Sequence, residues 1–253
     1  DVYKRQASIV AIIIKLYVKL QKIRNRFFKT FSWMIGSLFF ILFFLVALLN
    51  LSVVQTYFAT KATDYLSEKT GYELKIDKIA ISWFDEVKAI NVHGVDKHGN
   101  QLFDIHSLHI DYDLIKLIKT GKIELDYVTL YEPEFTAGWY EGEHLISLSQ
   151  FVKEFREVFI KPKKNKRPKI KPIYISGGKV IDGTFHYFDE RKDSSNKENY
   201  FDYNFFTLDS IHGDLSNFMV HYDTVSFKGQ DIAANHSGSC LKIHDLDLSL
   251  IHI

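Results

Sequence analysis

The 253-residue chain is 46% hydrophobic and 25% charged, which excludes both a disordered tail and a polytopic membrane protein. The single cysteine, Cys240, excludes a disulfide framework and any multi-cysteine metal site, and we expect it to be a small buried apolar residue. The net charge of +1 is an average over two different parts. Residues 1–30 hold eight basic residues and one acidic residue, whereas the remainder holds 24 basic and 30 acidic residues.

The first predicted element is a transmembrane helix at residues 31–54. Nineteen of these 24 residues are apolar, and no charged residue occurs from Thr30 to Thr60. Such a helix is roughly 36 Å long, enough to cross a hydrocarbon core of about 30 Å. A cleaved signal peptide is the alternative, but its apolar region is about 7 to 15 residues long and ends in an A-x-A-like site. We expect the anchor to be formed by Phe31, Trp33, Phe39, Phe40, Leu42, Phe44, Leu48 and Val54.

The charge of the leader predicts the orientation of the chain. Six Lys and Arg residues and no acidic residue lie between Ala7 and Thr30. The positive-inside rule therefore places residues 1–30 in the cytoplasm and the rest of the chain across the membrane. In a bacterium with two membranes, that is an inner-membrane protein with a periplasmic body. Residues 1–6 and 248–253 resemble non-native fragment ends, and we expect the natural chain to continue.

A short helix and a series of strands are predicted after the anchor. Residues 55–71 form a capping helix, with Phe58, Ala62, Tyr65 and Leu66 on one face and Gly71 as its C-cap. Beyond Gly71 the hydrophobic period changes from 3.6 to 2, which is typical of strands.

One apolar spacing, h-x-h-x-x-h-x-h, recurs four times in the strand region. A bulge at the central pair would keep both halves of such a strand facing the same side, and repeated bulges would curve the sheet. We therefore predict strands with one persistently apolar face. The first three copies give the candidate groove lining, and the fourth is near the C-terminus: Leu74, Ile76, Ile79, Ile81; Phe103, Ile105, Leu108, Ile110; Ile123, Leu125, Val128, Leu130; and Leu241, Ile243, Leu246, Leu248.

The remaining segments divide this β region into two parts. We predict a first β segment at 72–144, with a hairpin turn at Lys97–Asn100 and a helical turn at Leu114–Thr120. An amphipathic helix and a basic linker follow at 145–172, with Leu148, Phe151, Val152, Phe155 and Phe159 on one helical face. A second β segment occupies 173–253, interrupted by a polar excursion at Asp189–Asn199.

This order of elements resembles the N-terminal region of the AsmA-like superfamily, and most closely its translocation-and-assembly-module branch. Coverage extends from about Ser52 to Leu248, although Arg191–Asn199 does not match. The similar motifs are short: Val54–Tyr57, Ala62–Leu66 and Thr70–Gly71 in the helix, Ile79–Asp85 in the first strand, and Leu114–Ile123 leading into Val128–Pro133.

The resemblance implies a mainly β fold in which a curved antiparallel sheet forms an elongated apolar groove, called a β-taco. The groove would be anchored in the inner membrane. It also implies a conduit that moves phospholipids between the inner and outer membranes, with the lining residues contacting acyl chains. An outer-membrane barrel partner would bind through a C-terminal part that is missing here. No cofactor and no nucleic-acid partner are expected.

Three other interpretations of the same residues stay open. The apolar residues could form an ordinary closed β core. The chain could instead be an anchored scaffold that assists outer-membrane protein assembly by strand addition at a sheet edge, and Leu125→Asp would then stop lipid transfer but not strand addition. An enzyme is the third class, but no H-E-x-x-H, G-x-S-x-G or P-loop motif occurs. His106 and His109 lack an evident third metal ligand, and we interpret them as solvated residues of the polar face.

Overall fold

The computed structural model describes residues 2–83, 85–159, 173–192, 201–221 and 224–251. By internal contacts the chain divides into two units, Asp1–Asn50 and Leu51–Ile253. The elements in chain order are α1 Val2–Leu49, α2 Ser52–Thr70, β1 Glu73–Ser82, β2 Glu86–Val95, β3 Gln101–Tyr112, α3 Leu114–Thr120, β4 Ile123–Trp139, α4 Ser147–Phe159, β5 Ile173–Asp189, β6 Phe205–His221, β7 Thr224–His236 and β8 Ser239–Ile251.

The first unit is a single helix, and it is longer than the predicted anchor. α1 includes the basic leader as well as the apolar segment, and its stretch Lys19–Leu49 is long and apolar enough to cross a membrane. The helix is compatible with a single-pass anchor or with a signal sequence. It ends at Leu49, so Val54, expected in the anchor, lies in α2 instead.

The second unit is built on one eight-stranded open sheet whose strands follow the chain order β1 to β8. Two features of the expected fold need correction. The fold is mixed α/β rather than mainly β, because α1 extends through the leader. The sheet is mostly antiparallel rather than antiparallel throughout, because β4 and β5 are parallel. The sheet is not strongly curled.

The parallel pair explains the long segment between β4 and β5. Parallel neighbours cannot be joined by a tight hairpin and need a crossover of a dozen or more residues, usually containing a helix. Here that crossover contains α4, which packs on β4 and on α2. The expected helix of this segment is therefore present, while the basic residues 161–171 that follow it lie outside the described residues.

The compact core is at the end of the sheet where β1 begins. Tyr72, Leu74 and Leu102 are buried there. The Phe103 ring lies over Gly94, directly opposite in the ladder, and a Cβ on that glycine would overlap the ring. The predicted face of α4 closes this core, except that Val152 is exposed and the Phe159 side chain is not among those described; the side chains packed against the core are Leu66, Phe103, Leu148, Phe151 and Phe155.

Several local predictions are confirmed, and one is wrong. The β2–β3 hairpin turns at Lys97–Asn100, with Gly99 at φ +84°. α3 covers Leu114–Thr120 and ends at Gly121 in the left-handed region. Cys240, however, is exposed rather than buried, because it is the second residue of β8, close to the turn Ser237–Gly238.

Candidate functional site

The strand register aligns the candidate lining residues into rows across the sheet. The paired residues of neighbouring strands point to the same face. In β1 and β3, matching members of the first two repeats flank the same residue of β2. The flanked pairs are Leu74 and Phe103 around Gly94, Ile76 and Ile105 around Val92, Ile79 and Leu108 around Ala89, and Ile81 and Ile110 around Val87.

One row extends across all eight strands, with apolar side chains on six of them and glycine on β5 and β7, and we call it row 1. Each member is paired with the next, and seven strand spacings of about 4.8 Å give the row a length of about 34 Å. A second row, row 2, lies beside it from β1 to β6. Row 1 is Ile81, Val87, Ile110, Val128, Gly178, Leu215, Gly229 and Leu246; row 2 is Ile79, Ala89, Leu108, Leu130, Val180 and Gly213.

The central pairs of the repeats interrupt the ladder, as the spacing predicts. Pairing passes from Ile90 with Ser107 to Val92 with Ile105, and both strands skip one residue. Because neighbouring strands are interrupted together, the interruption differs from an ordinary bulge, which adds a residue to one strand only. The skipped positions include six non-glycine residues with positive φ, two in β6 and one in each of β2, β4, β5 and β7: Asn91, Glu132, Asp182, Ser210, Asn217 and Asp231.

The interruptions keep the apolar residues on one side. In a regular strand, residues three apart face opposite sides. Here a Cβ placed on Gly183 would lie 2.9 Å from Cγ1 of Val180, three residues earlier, and Gly229 bears the same relation to Ile232. In β1, Asp77 is exposed and its carboxylate accepts a 2.8 Å hydrogen bond from Asn91 on the next strand. The predicted one-sided apolar face is therefore present.

Burial differs along this face. Leu74 and Ile105 are buried, and Phe103 packs on the core, so at that end the residues belong to a closed core and not to an open lining. The side chain of Ile123 lies outside the described part of the chain. The other candidate lining residues are only half-buried: Ile76, Ile79, Ile81, Leu108, Ile110, Leu125, Val128 and Leu130.

α2 closes the free edge of β1 with polar side chains. Gln55 donates to the carbonyl of Ile81 at 3.0 Å and accepts from its N–H at 2.7 Å. The hydroxyl of Thr56 accepts from the N–H of Ile79 at 3.1 Å. These bonds satisfy main-chain groups that an edge strand would otherwise expose.

The predicted apolar face of α2 is therefore wrong. Gln55, Thr63 and Thr70 are buried, whereas Phe58 and Tyr65 are exposed. The helix rests on a row of peptide groups, so its contact surface is made of hydrogen-bonding side chains. Only Leu66 of the expected face packs against the core.

Two buried carboxylates fasten the loops at the core end of the sheet. Asp96, in the β2–β3 turn, accepts from the hydroxyl of Tyr140 and from the N–H groups of His98 and Asn100, both at 2.9 Å. Burial, together with the hydrogen bond to Asp96, raises the pKa of the Tyr140 phenol. Beyond β5, Arg191 donates two hydrogen bonds to Asp189, at 2.7 and 2.8 Å.

The second carboxylate is tied to both strands of the parallel pair. The Arg191 guanidinium lies 3.9 Å from the centre of the Trp139 ring, and Trp139 is opposite Asp189 in the ladder. The hydrogen bonds from Arg191 hold the pKa of Asp189 below its usual range. These networks are structural, since each one fixes a turn to a neighbouring strand.

The polar face carries a carboxylate, an imidazole and a hydroxyl in line. His186 bonds to Glu134 through Nε2 and to Thr207 through Nδ1, both at 2.9 Å. They lie side by side on β4, β5 and β6, and we interpret them as cross-strand pairs. Among the described residues, no group of three or more His, Cys, Asp or Glu side chains could hold a metal ion. His106 is exposed and His109 packs on Tyr131.

The apolar part of α1 is exposed over nearly all of its length. Of the expected anchor residues in it, Leu48 is half-buried and the others are exposed: Phe31, Trp33, Phe39, Phe40, Leu42 and Phe44. Polar side chains near the apolar segment bond to their own helix, as hydrocarbon surroundings require. Ser37 donates to the carbonyl of Met34 at 2.9 Å, and Asn50 donates to that of Val46 at 2.8 Å.

The fold and the site together define a class of protein: a long apolar helix followed by an open, mostly antiparallel sheet with a one-sided apolar face. No protein-family model matches the chain, and a search of curated proteins finds no significant match.

Proposed function

We propose that the chain is an inner-membrane-anchored periplasmic protein whose sheet is the membrane-proximal part of a phospholipid conduit. The proposal assigns it to the AsmA-like superfamily, with TamB, the translocation and assembly module protein, as the most similar member. The observation that carries it is row 1, which crosses all eight strands without a polar side chain and whose candidate lining residues are half-buried.

The physical reason is the cost of leaving such a face in water. Each methylene group removed from water contributes about 0.8 kcal/mol, so an acyl chain lying along the rows would be held without directed bonds. Because apolar contact is non-directional, the chain could slide from strand to strand. We further propose that the sheet curves into a groove around the lipid, as in a β-taco.

A photoactivatable phospholipid with a diazirine in its acyl tail tests the proposal on the full chain in membranes. We expect labelled peptides from both α1 and the sheet. Leu130→Asp, in row 2, should reduce labelling of the sheet and leave that of α1 unchanged. Thr129→Asp, the adjacent residue on the opposite face and also half-buried, is the matched control. Labelling restricted to α1 in the unsubstituted chain would contradict the proposal.

A second candidate function is a scaffold for outer-membrane protein assembly by strand addition. The observation that bears on it is the closed edge of β1, whose main chain is bonded by α2. A client strand would therefore have to add on the side of the sheet that β8 begins, rather than on the β1 side. Leu130→Asp should leave such binding intact, and Ile243→Pro, which removes a main-chain donor from β8, should weaken it. An outer-membrane barrel partner remains part of this second proposal.

A further inference from the structure

We propose that the first two turns of α2 lie in the interface of the membrane that α1 crosses, on the side of the sheet. The partner of this surface is the headgroup and upper acyl region of the bilayer. The inference extends the proposed function and rests on α1 being an anchor. The surface, which we call the α2 patch, consists of Leu51, Val53, Tyr57 and Phe58, exposed by 51%, 81%, 60% and 58%.

The α2 patch is unusual because it is the outer side of a helix whose inner side is polar. Gln55 and Thr56 face β1 from between the patch residues and bond to its main chain. The large apolar side chains therefore have no role in holding the helix on the sheet. The rings of Tyr57 and Phe58 contact each other, at 5.8 Å between centroids, and no other described ring packs on them. An exposed apolar surface of this kind marks an interaction site.

The charge and the position of the α2 patch indicate that its partner is a bilayer rather than a soluble protein. The patch follows the last residue of α1 by two positions, and no charged residue occurs between Lys29 and Lys61. Aromatic side chains are enriched at the membrane–water interface, where an apolar ring and a polar tip are both accommodated. Further along the same helix the exposed surface becomes charged, and Lys61 pairs with Asp64 at 3.5 Å.

The α2 patch fixes where lipid would reach the sheet. Ser52 donates to the carbonyl of Ile79 at 3.0 Å, and Gln55 bonds to Ile81, so the start of α2 lies beside the β1 members of rows 1 and 2. If the patch is immersed, these two rows begin at the bilayer surface. A phospholipid would then pass from the outer face of the membrane onto Ile79 and Ile81 without crossing open water.

Site-directed spin labelling tests the inference on the full chain in phospholipid vesicles. In a Cys240→Ser background, which removes the only cysteine, single cysteines replace Val53, Tyr57, Tyr65 or Glu68. Contact with oxygen, which partitions into lipid, is compared with contact with a water-soluble nickel complex. We expect labels at positions 53 and 57 to be several-fold more accessible to oxygen than to the nickel complex. Labels at positions 65 and 68 should be more accessible to the nickel complex. Tyr65 is the matched control because it is an aromatic residue of the same helix, exposed by 54%.

A label at Phe39 separates the two proposals. Oxygen contact at position 39 together with nickel contact at position 57 would overturn the inference and leave the anchor intact. Nickel contact at both positions would overturn the anchor itself, and the proposed function with it. Equal values at positions 57 and 65 would also overturn the inference, because the patch would then not differ from the charged part of the helix.

Discussion

The side-chain amide of Gln55 pairs with the main chain of Ile81 through both its donor and its acceptor, at 3.0 and 2.7 Å. An amide side chain has the same groups as a peptide unit, so Gln55 occupies the place that a neighbouring strand would take. Gln55 is itself buried. The helix that follows the long apolar segment therefore ends the sheet on the β1 side.

Loss of this pair should destabilise the sheet. Gln55→Ala leaves the part-buried N–H and carbonyl of Ile81 without this partner, and we expect the free energy of unfolding to fall by about 1–3 kcal/mol. Thr60→Ala, which removes an exposed hydroxyl that bonds within the same helix at 3.0 Å, is the control and should change stability by less than about 0.5 kcal/mol. Denaturant titration in detergent measures both, and equal effects would contradict the edge-closing role.

The strand interruptions should respond to glycine in the opposite way from ordinary strand positions. Glu132 has φ +47°, a conformation that costs a residue with a Cβ roughly 1–2 kcal/mol. Glu132→Gly should therefore be close to neutral or stabilising, whereas Thr129→Gly in the same strand should cost about 1 kcal/mol. Melting temperatures compare the two variants. A larger loss at position 132 than at position 129 would show that the left-handed turn is not formed.

Acid should weaken the core end of the sheet through Asp189. The pKa of this carboxyl is lower in the folded chain than in the unfolded chain, because Arg191 hydrogen-bonds to it. Its contribution to stability is therefore present above the unfolded value of about 3.9 and is lost as the pH falls through the lower folded value. Asp189→Asn should flatten the loss of stability below about pH 4. Urea titrations at a series of pH values measure this effect. If the free energy of unfolding of the variant falls with acid as steeply as that of the unsubstituted chain, Asp189 does not have this role.

The orientation of the chain can be read from its single cysteine. Cys240 is exposed at the start of β8. If residues 1–30 are cytoplasmic, a membrane-impermeant maleimide should label Cys240 from the periplasmic side in intact spheroplasts. The cysteine of Lys22→Cys, in a Cys240→Ser background, should be labelled only after permeabilisation. Labelling of Cys240 only after permeabilisation would reverse the topology.

The sequence predicts the apolar face well because the h-x-h-x-x-h-x-h spacing records the strand interruptions directly. The same spacing is present in β2 as Val87, Ala89, Val92 and Gly94, but small residues conceal it. A search that accepts alanine and glycine as apolar positions would have found this strand.

Other features depend on distant parts of the chain. The parallel pairing of β4 with β5 depends on the crossover through α4, and hydrophobic periodicity does not distinguish parallel from antiparallel neighbours. The inverted contact face of α2 could not be predicted from a pattern that assumes an apolar contact surface. Gln55 and Thr56 face the sheet because their partners are the edge peptides of β1.

The central claim is that the apolar face of the sheet contacts phospholipid. Site-specific photo-crosslinking in cells tests it most directly, with the crosslinking amino acid at Ile81, Ile110 or Leu130 and, as matched controls on the opposite face, at Ala80, His109 or Thr129, all half-buried. We expect phospholipid adducts at the first three positions and few at the controls. Adducts of equal yield on the two faces, or none on either, would contradict it.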